Sequence, residues 1–357
     1  MKFIDHWINN KEHRGVAGRT GNVFNPATGE VTAEVGFAST DEVDLAVSAA
    51  GAAFPEWRDM SLIRRQKILF AYRELMNRRS EELARILTFE QGKTLSDALG
   101  EVNRGLEVIE FATGIPHLIK GSFSENVSRG VDTFTIRQPI GVVAGITPFN
   151  FPALVPMWMF PVAIACGNTF VLKPSEKDPS SALFEAELFA DAGLPDGVLN
   201  VIHGDSVAVD RLLEHPDVGA VSFVGSTPVA RHVYETGTRH EKRVQALAGA
   251  KNHMVVLPDA DMDLAADSAV SAGYGSAGER CMAVSVIVSV AGAADTLIPK
   301  MQERIAALKV APGLEDGAEM GPLITREHRD RVASYVDSGV EEGANLVRIG
   351  TMIFGPR

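Results

Sequence analysis

The run Ile140-Gly141-Val142-Val143-Ala144-Gly145-Ile146-Thr147-Pro148-Phe149-Asn150-Phe151-Pro152 is a short apolar stretch that stops at a proline-bracketed loop. The same form returns at Thr169-Phe170-Val171-Leu172-Lys173-Pro174-Ser175-Glu176. Working outward, short apolar runs at 141–146, 169–172, 197–202 and 218–224 alternate with segments of helical character at 153–166, 180–192, 207–215 and 228–238. Alternation of this kind predicts a parallel, doubly wound α/β sheet. The runs are apolar throughout rather than every second residue, because helices cover both faces of such a sheet. A ligand is expected beyond the carboxyl ends of the strands, near the point where the strand order reverses.

After residue 250 a second α/β series is expected, with strands at 254–257 and 284–290 and helices at 262–277, 294–308 and 326–343. On the other side, 40–113 is rich in Ala, Leu, Glu and Arg with apolar residues three and four apart, as in Ile68, Leu69, Tyr72, Leu75 and Met76, and predicts helices packed as one layer. Ahead of them lie a short strand-like stretch and a turn at Asn25-Pro26-Ala27-Thr28-Gly29.

A chain of 357 residues holds enough apolar material for two cores. Its formal net charge of −12 argues against nucleic acid or an anionic membrane as a main partner, since both select basic surfaces. The opening residues show no apolar secretory region, and the most apolar stretch, 153–166, is short and broken by Pro156 and Pro161. A cytoplasmic protein that handles small molecules is therefore expected. Only two cysteines occur, Cys166 and Cys281, which excludes a disulfide framework. The nine histidines follow no metal-ligand spacing, and no metal is expected.

Cys281 lies in Gly275-Ser276-Ala277-Gly278-Glu279-Arg280-Cys281-Met282, where glycines allow tight turns. A lone cysteine is either a packed small hydrophobe or a nucleophile; Cys166, at an apolar helix end, fits the first description. Asn150 sits between Pro148 and Pro152, so its amide is either part of an ordinary strand-to-helix turn or a donor fixed in place by the prolines. Lys173 at a strand end is commonly only solvated, but Pro174 holds it extended and Glu176 follows closely. Phe223-Val224-Gly225-Ser226-Thr227-Pro228-Val229-Ala230 reads as strand, glycine turn and helix start, whose N–H groups can face a phosphate; no GxGxxG is present.

Taken together and in this order, these segments resemble the aldehyde dehydrogenase superfamily. The resemblance implies an aldehyde dehydrogenase-like fold: a doubly wound NAD domain (1–122 and 140–250), an oligomerisation arm (123–139) and an α/β catalytic domain (251–357). It implies Cys281 as nucleophile and Asn150 as donor to the oxyanion, with the Cys281 backbone N–H as second donor. It places NAD against Thr147, Phe149, Lys173, Ser175, Glu176, Gly225 and Ser226. Ala230 stands where the family often has glycine, and is itself small enough for close helix packing.

Hydrolytic members of the superfamily carry a glutamate that activates water, and the corresponding run here is Ala246-Leu247-Ala248-Gly249-Ala250-Lys251-Asn252-His253. Aligning Lys251 with the motif lysine puts Leu247 at the glutamate position, leaving no general base there. A thiol needs less activation than water, so coenzyme A is the expected acyl acceptor. Gly-Ala-Lys-Asn-His and Arg280-Cys281-Met282 resemble the CoA-acylating methylmalonate-semialdehyde dehydrogenase branch. The branch implies a carboxylate-bearing semialdehyde bound by Arg104 and Arg280, although Arg104 could instead form a helix-surface salt bridge with Glu101 or Glu107. A hydrolytic semialdehyde dehydrogenase, or a non-catalytic dinucleotide-binding module, are the alternatives. Family members of full length, expected as homotetramers, continue well past residue 357, so a C-terminally truncated catalytic domain is expected. Met352 in Met352-Ile353-Phe354-Gly355-Pro356 occupies the place of the family's nicotinamide-ribose glutamate.

Overall fold

The strand and helix alternation closes into a parallel sheet in the computed structural model of the chain, which describes residues 2–16 and 18–347. The chain opens with β1 (Lys2–Ile4), β2 (His6–Ile8), β3 (Lys11–His13), β4 (Thr20–Phe24) and β5 (Val31–Gly36). Helices α1 (Thr40–Asp59), α2 (Leu62–Arg78), α3 (Ser80–Gln91), α4 (Leu95–Thr113) and the single turn α5 (Ile115–Leu118) follow. After the hairpin β6 (Phe123–Ser128) and β7 (Val131–Phe134) come β8 (Val142–Ile146), α6 (Leu154–Ala165), β9 (Thr169–Lys173), α7 (Ser180–Asp191), β10 (Leu199–Val201), α8 (Ser206–Glu214), β11 (Val218–Val224), α9 (Thr227–Arg239) and β12 (Arg243–Leu247). The last elements are β13 (Asn252–Val256), α10 (Met262–Tyr274), β14 (Val284–Ser289), α11 (Ala293–Ala307) and α12 (Arg326–Glu341). The expected nicotinamide-ribose position, Met352, lies outside the described residues.

Two compact units divide the chain: 1–21, 34–83 and 101–248 make the first, while 22–33, 84–100 and 249 onward make the second. Residues 22–33 and 84–100 group with the second unit, whereas the sequence assigns all of 1–122 to the first; short pieces that change partner carry no signal in their own composition.

In the first unit the sheet order is β12-β11-β8-β9-β10-β2-β3, with the five strands from β12 to β10 parallel and β2 and β3 added antiparallel at the edge. The order reverses at β8, which defines the crevice side. One face is covered by α1, α8 and α9, whose Ala46, Val47, Ala50, Leu212, Leu213 and Val233 pack against Val142, Ala144, Val171 and Val221 of the strands. On the other face Tyr72 of α2 stacks on Phe189 of α7 at 4.1 Å and meets Phe160 of α6. The helices of 40–113 therefore do not form one layer: α1 and α2 serve opposite faces. Apolar spacing marks a buried stripe but not the surface it will bury against.

Glu185 of α7 is fully buried in that aromatic cluster, and neither carboxyl oxygen has a hydrogen-bond partner among the described residues. Burial pushes its carboxyl well above the usual range, and the nearby Glu101 carboxylate adds to the shift. Folding therefore favours the protonated carboxyl, so the favourable contribution is present below the ordinary carboxylate pKa and is lost as pH rises toward the folded value. Glu185→Leu is expected to stabilise the chain by about 1–3 kcal/mol at neutral pH, with a smaller gain at about pH 5. Urea unfolding at the two pH values checks this, and an equal or larger gain in acid would contradict it.

In the second unit β13 and β14 pair in parallel with α10 and α11 packed against them, Val256, Ala265, Ala266 and Leu297 forming the core. The Asn25–Gly29 turn closes with Gly29 N–H on Asn25 O at 2.7 Å and Ala27 N–H on Asn25 Oδ1 at 2.9 Å. Helix α10 stops at Tyr274, short of the expected 277. The next residues form a 3-10 turn in which Ser276 and Ala277 hold φ values of 50° and 53°, a left-handed conformation that L-residues resist. No described helix is long and apolar enough to cross a membrane.

Candidate active site

Strand register decides which side chains of the first unit share an edge. Ile146 pairs with Lys173 on one side and Phe223 on the other, and Val224 pairs with Leu247, so these strand ends finish at one level. The bonds continue past the strands: Thr147 N–H donates to Lys173 O and Gly225 N–H to Leu247 O, both at 3.1 Å. Thr147, Lys173 and Gly225, far apart in sequence, thus come to one crevice edge.

Around them the side chains are sorted by burial. Lys173 is buried to 6% exposure, with its Nζ on Glu176 Oε2 at 3.2 Å. Ser175 is buried, and its Oγ accepts from Lys177 N–H at 3.1 Å. The Lys177 ammonium lies over the Phe149 ring, 4.7 Å from its centroid. Thr147 Oγ1 is buried without a hydrogen-bond partner among the described residues. Ser226 caps α9 by position but gives no side-chain hydrogen bond to its first turn, so the N-terminal N–H groups of that helix are left for something else. Gly225 is required by space: a Cβ there would lie 2.5 Å from the Phe223 ring.

The Asn150 loop is held from behind. Glu101 of α4 is buried, and its Oε1 accepts the N–H groups of Ala153 and Leu154 at 2.9 and 3.0 Å, anchoring the start of α6. Ser181 Oγ donates to Pro152 O at 3.1 Å. Glu101 had entered the sequence reading only as a possible partner of Arg104. Its long-range capping role leaves no local trace, because donor and acceptor are 52 residues apart. Arg104 itself is exposed and forms no ion pair with Glu101 or Glu107 among the described residues.

In the second unit Cys281 is exposed, at the end of the left-handed turn. The Asn252 side-chain amide donates to the carbonyls of Cys281 and Ala283, both at 3.0 Å, which fixes the backbone on either side of Met282. Arg280 points back to Asp97 of α4 in a short charged contact, so its guanidinium is already partnered. Glu279, with its side chain buried, takes Gln91 Nε2 at 2.7 Å and lies 3.3 Å from His328 Nε2. Asn252 is marked in the sequence only as part of the 249–253 run, with no role of its own, and nothing near Asp97 marks it. Cys166, expected to be buried, is half-buried at the end of α6, and burial pushes its thiol up against the opposing influence of Arg65 and Arg137.

Residues 14–355 match the aldehyde dehydrogenase family. The malonate-semialdehyde dehydrogenase of Pseudomonas aeruginosa is 52% identical over 348 residues, 97% of this chain and 70% of that protein. A Sinorhizobium meliloti protein named as a methylmalonate-semialdehyde dehydrogenase and crystallised with NAD is 51% identical, with a TM-score of 0.97 over 99% of this chain and 72% of its own. The methylmalonate-semialdehyde dehydrogenase of Oceanimonas doudoroffii is 50% identical, also with a TM-score of 0.97, covering 100% of this chain and 73% of its own. A family match across most of its length, joined to a doubly wound sheet of this strand order, places the chain in the aldehyde dehydrogenase family.

Proposed function

We propose that the chain carries the machinery for NAD-dependent oxidation of malonate or methylmalonate semialdehyde, the acyl group passing to coenzyme A with loss of carbon dioxide to give acetyl-CoA or propionyl-CoA. Support for the substrate class comes from relatives named for these semialdehydes. In this reading Cys281 sulfur adds to the aldehyde carbonyl and Asn150 donates to the oxyanion that forms, with the Cys281 N–H as second donor. NAD, when bound, accepts the hydride. A thioester on Cys281 remains; as the 3-carboxylate leaves as carbon dioxide the thioester carbonyl takes up the electrons as an enolate, a proton from solvent returns to the α-carbon, and the CoA thiol displaces the Cys281 sulfur, which leaves as the thiol.

The residues at the crevice edge fit NAD. Lys173 and Glu176 are paired where the adenosine ribose would bind, with Ser175 beside them. Gly225, Ser226 and the uncapped start of α9 suit a pyrophosphate. Thr147, with its orphaned hydroxyl, and Phe149 complete the set. For the substrate carboxylate, Arg104 offers an exposed guanidinium, and Arg280 shares its own with Asp97. A homotetrameric, cytoplasmic form belongs to the same reading; the β6–β7 hairpin, exposed along its whole length with Phe123 and Phe134 outward, suits an assembly arm.

The observation that carries the choice of CoA over water is Leu247. It ends β12, 46% exposed as a residue and with its carbonyl tied to Gly225, at the position where the hydrolytic pattern needs a carboxylate. NADH formation from malonate semialdehyde is expected to require CoA, with at most a single turnover per Cys281 in its absence. Steady production of the free acid without CoA would overturn the assignment in favour of the hydrolytic alternative.

A further inference from the structure

The turn that presents Cys281 is one its residues would not adopt unaided. Ser276 and Ala277 both lie in the left-handed region, which L-residues with a Cβ resist. Two backbone bonds close the turn, Glu279 N–H to Ser276 O and Ala283 N–H to Arg280 O, each at 3.0 Å. Something outside the turn must offset the strain, and Asp97 is placed to do so. One of its oxygens meets Arg280 Nη2 in the short charged contact, and the other accepts from Ser276 Oγ at 3.4 Å.

The arrangement is built rather than incidental. Asp97 N–H donates to Thr94 Oγ1 at 3.2 Å, which fixes the aspartate in the first turn of α4. The guanidinium sits directly over Gly275, where an added Cβ would lie 2.6 Å from Arg280 Cζ and would make the arginine shift. The side chains of Arg280 and Asp97 are 31% and 19% exposed, so water screens the pair less than it would a pair on the surface. They line a cavity of about 380 Å³ within the second unit.

We infer that Asp97 is a positioning residue for the nucleophile: by clamping Arg280 and Ser276 it holds the left-handed turn that presents Cys281. The inference rests on the reading of Cys281 as nucleophile. It sets Asp97 apart from residues that recognise the substrate carboxylate, because a clamp on the turn acts equally on every aldehyde.

The full chain is compared with its Asp97→Ala variant and with the doubly substituted Asp97→Arg/Arg280→Asp variant, which restores the charge pair reversed. Amide exchange at Glu279 and Ala283 is expected to speed up at least about tenfold in Asp97→Ala, while α10 in the same unit keeps its protection. In the same variant kcat is expected to fall about 10–100-fold, alike for malonate semialdehyde and for propanal, with KM moved much less. The reversed pair is expected to recover part of the exchange protection and part of kcat for propanal, but not for malonate semialdehyde, whose carboxylate loses Arg280. Unchanged exchange at Glu279 and Ala283 would overturn the inference, as would a loss confined to the KM of the semialdehyde. Loss of α10 protection in Asp97→Ala without recovery in the reversed pair would also overturn it, showing a general packing role. The underlying reading fails separately, if Cys281→Ser keeps turnover while the Asp97 variants behave as expected in exchange.

Discussion

Cys281→Ser is expected to lower aldehyde oxidation by roughly a thousandfold or more in kcat, because removal of a covalent nucleophile takes away the step on which the others depend. The expectation is specific to this thiol. Cys281 is exposed, follows a strained turn and has its backbone held by Asn252, whereas Cys166 is half-buried at a helix end and burial raises its thiol. A half-buried thiol whose neutral form is favoured is a poor substitute. NADH formation in the presence of CoA measures the loss, and native-state alkylation followed by peptide mapping measures the selectivity. Label found mainly on Cys166, or turnover in Cys281→Ser within tenfold of the parent, would contradict the assignment.

Asn150→Ala is expected to cost about 10²–10³ in kcat, the usual penalty for losing one oxyanion donor, with little change in the affinity for NAD. The size of the effect depends on the loop being rigid before substrate arrives. Rigidity comes from Pro148 and Pro152, from the Glu101 carboxylate on the N–H groups of Ala153 and Leu154, and from Ser181 on the Pro152 carbonyl. NAD binding by calorimetry beside steady-state kinetics separates the two quantities. A fall in NAD affinity large enough to account for the loss of rate would move Asn150 from the chemistry to cofactor binding.

The alternating order of strands and helices was legible because both periodicities are written locally. Residues 218–224 were read as a strand to the residue, and α6 through α9 were placed within a residue or two at each end. β12 was not singled out as a strand, since its residues alternate between exposed and partly buried at the sheet edge and so lack a continuous apolar run. The end of α10 was misjudged by three residues because Ser276 and Ala277 have no local reason to leave the right-handed helix; their conformation depends on Asp97 and Arg280.

The sequence by itself determined the family and the parallel sheet and singled out Asn150, Lys173, Gly225 and Cys281 as candidates, because each of these readings depends on chemistry carried within a few adjacent positions. Only the tertiary structure decided which residues support them. Glu101 behind the Asn150 loop, Asn252 on the Cys281 carbonyl, and Asp97 on Arg280 act across separations of 52, 29 and 183 residues. Hydrogen bonds and ion pairs of that reach are set by where the elements pack, and a linear chain holds no local pattern from which that packing can be read.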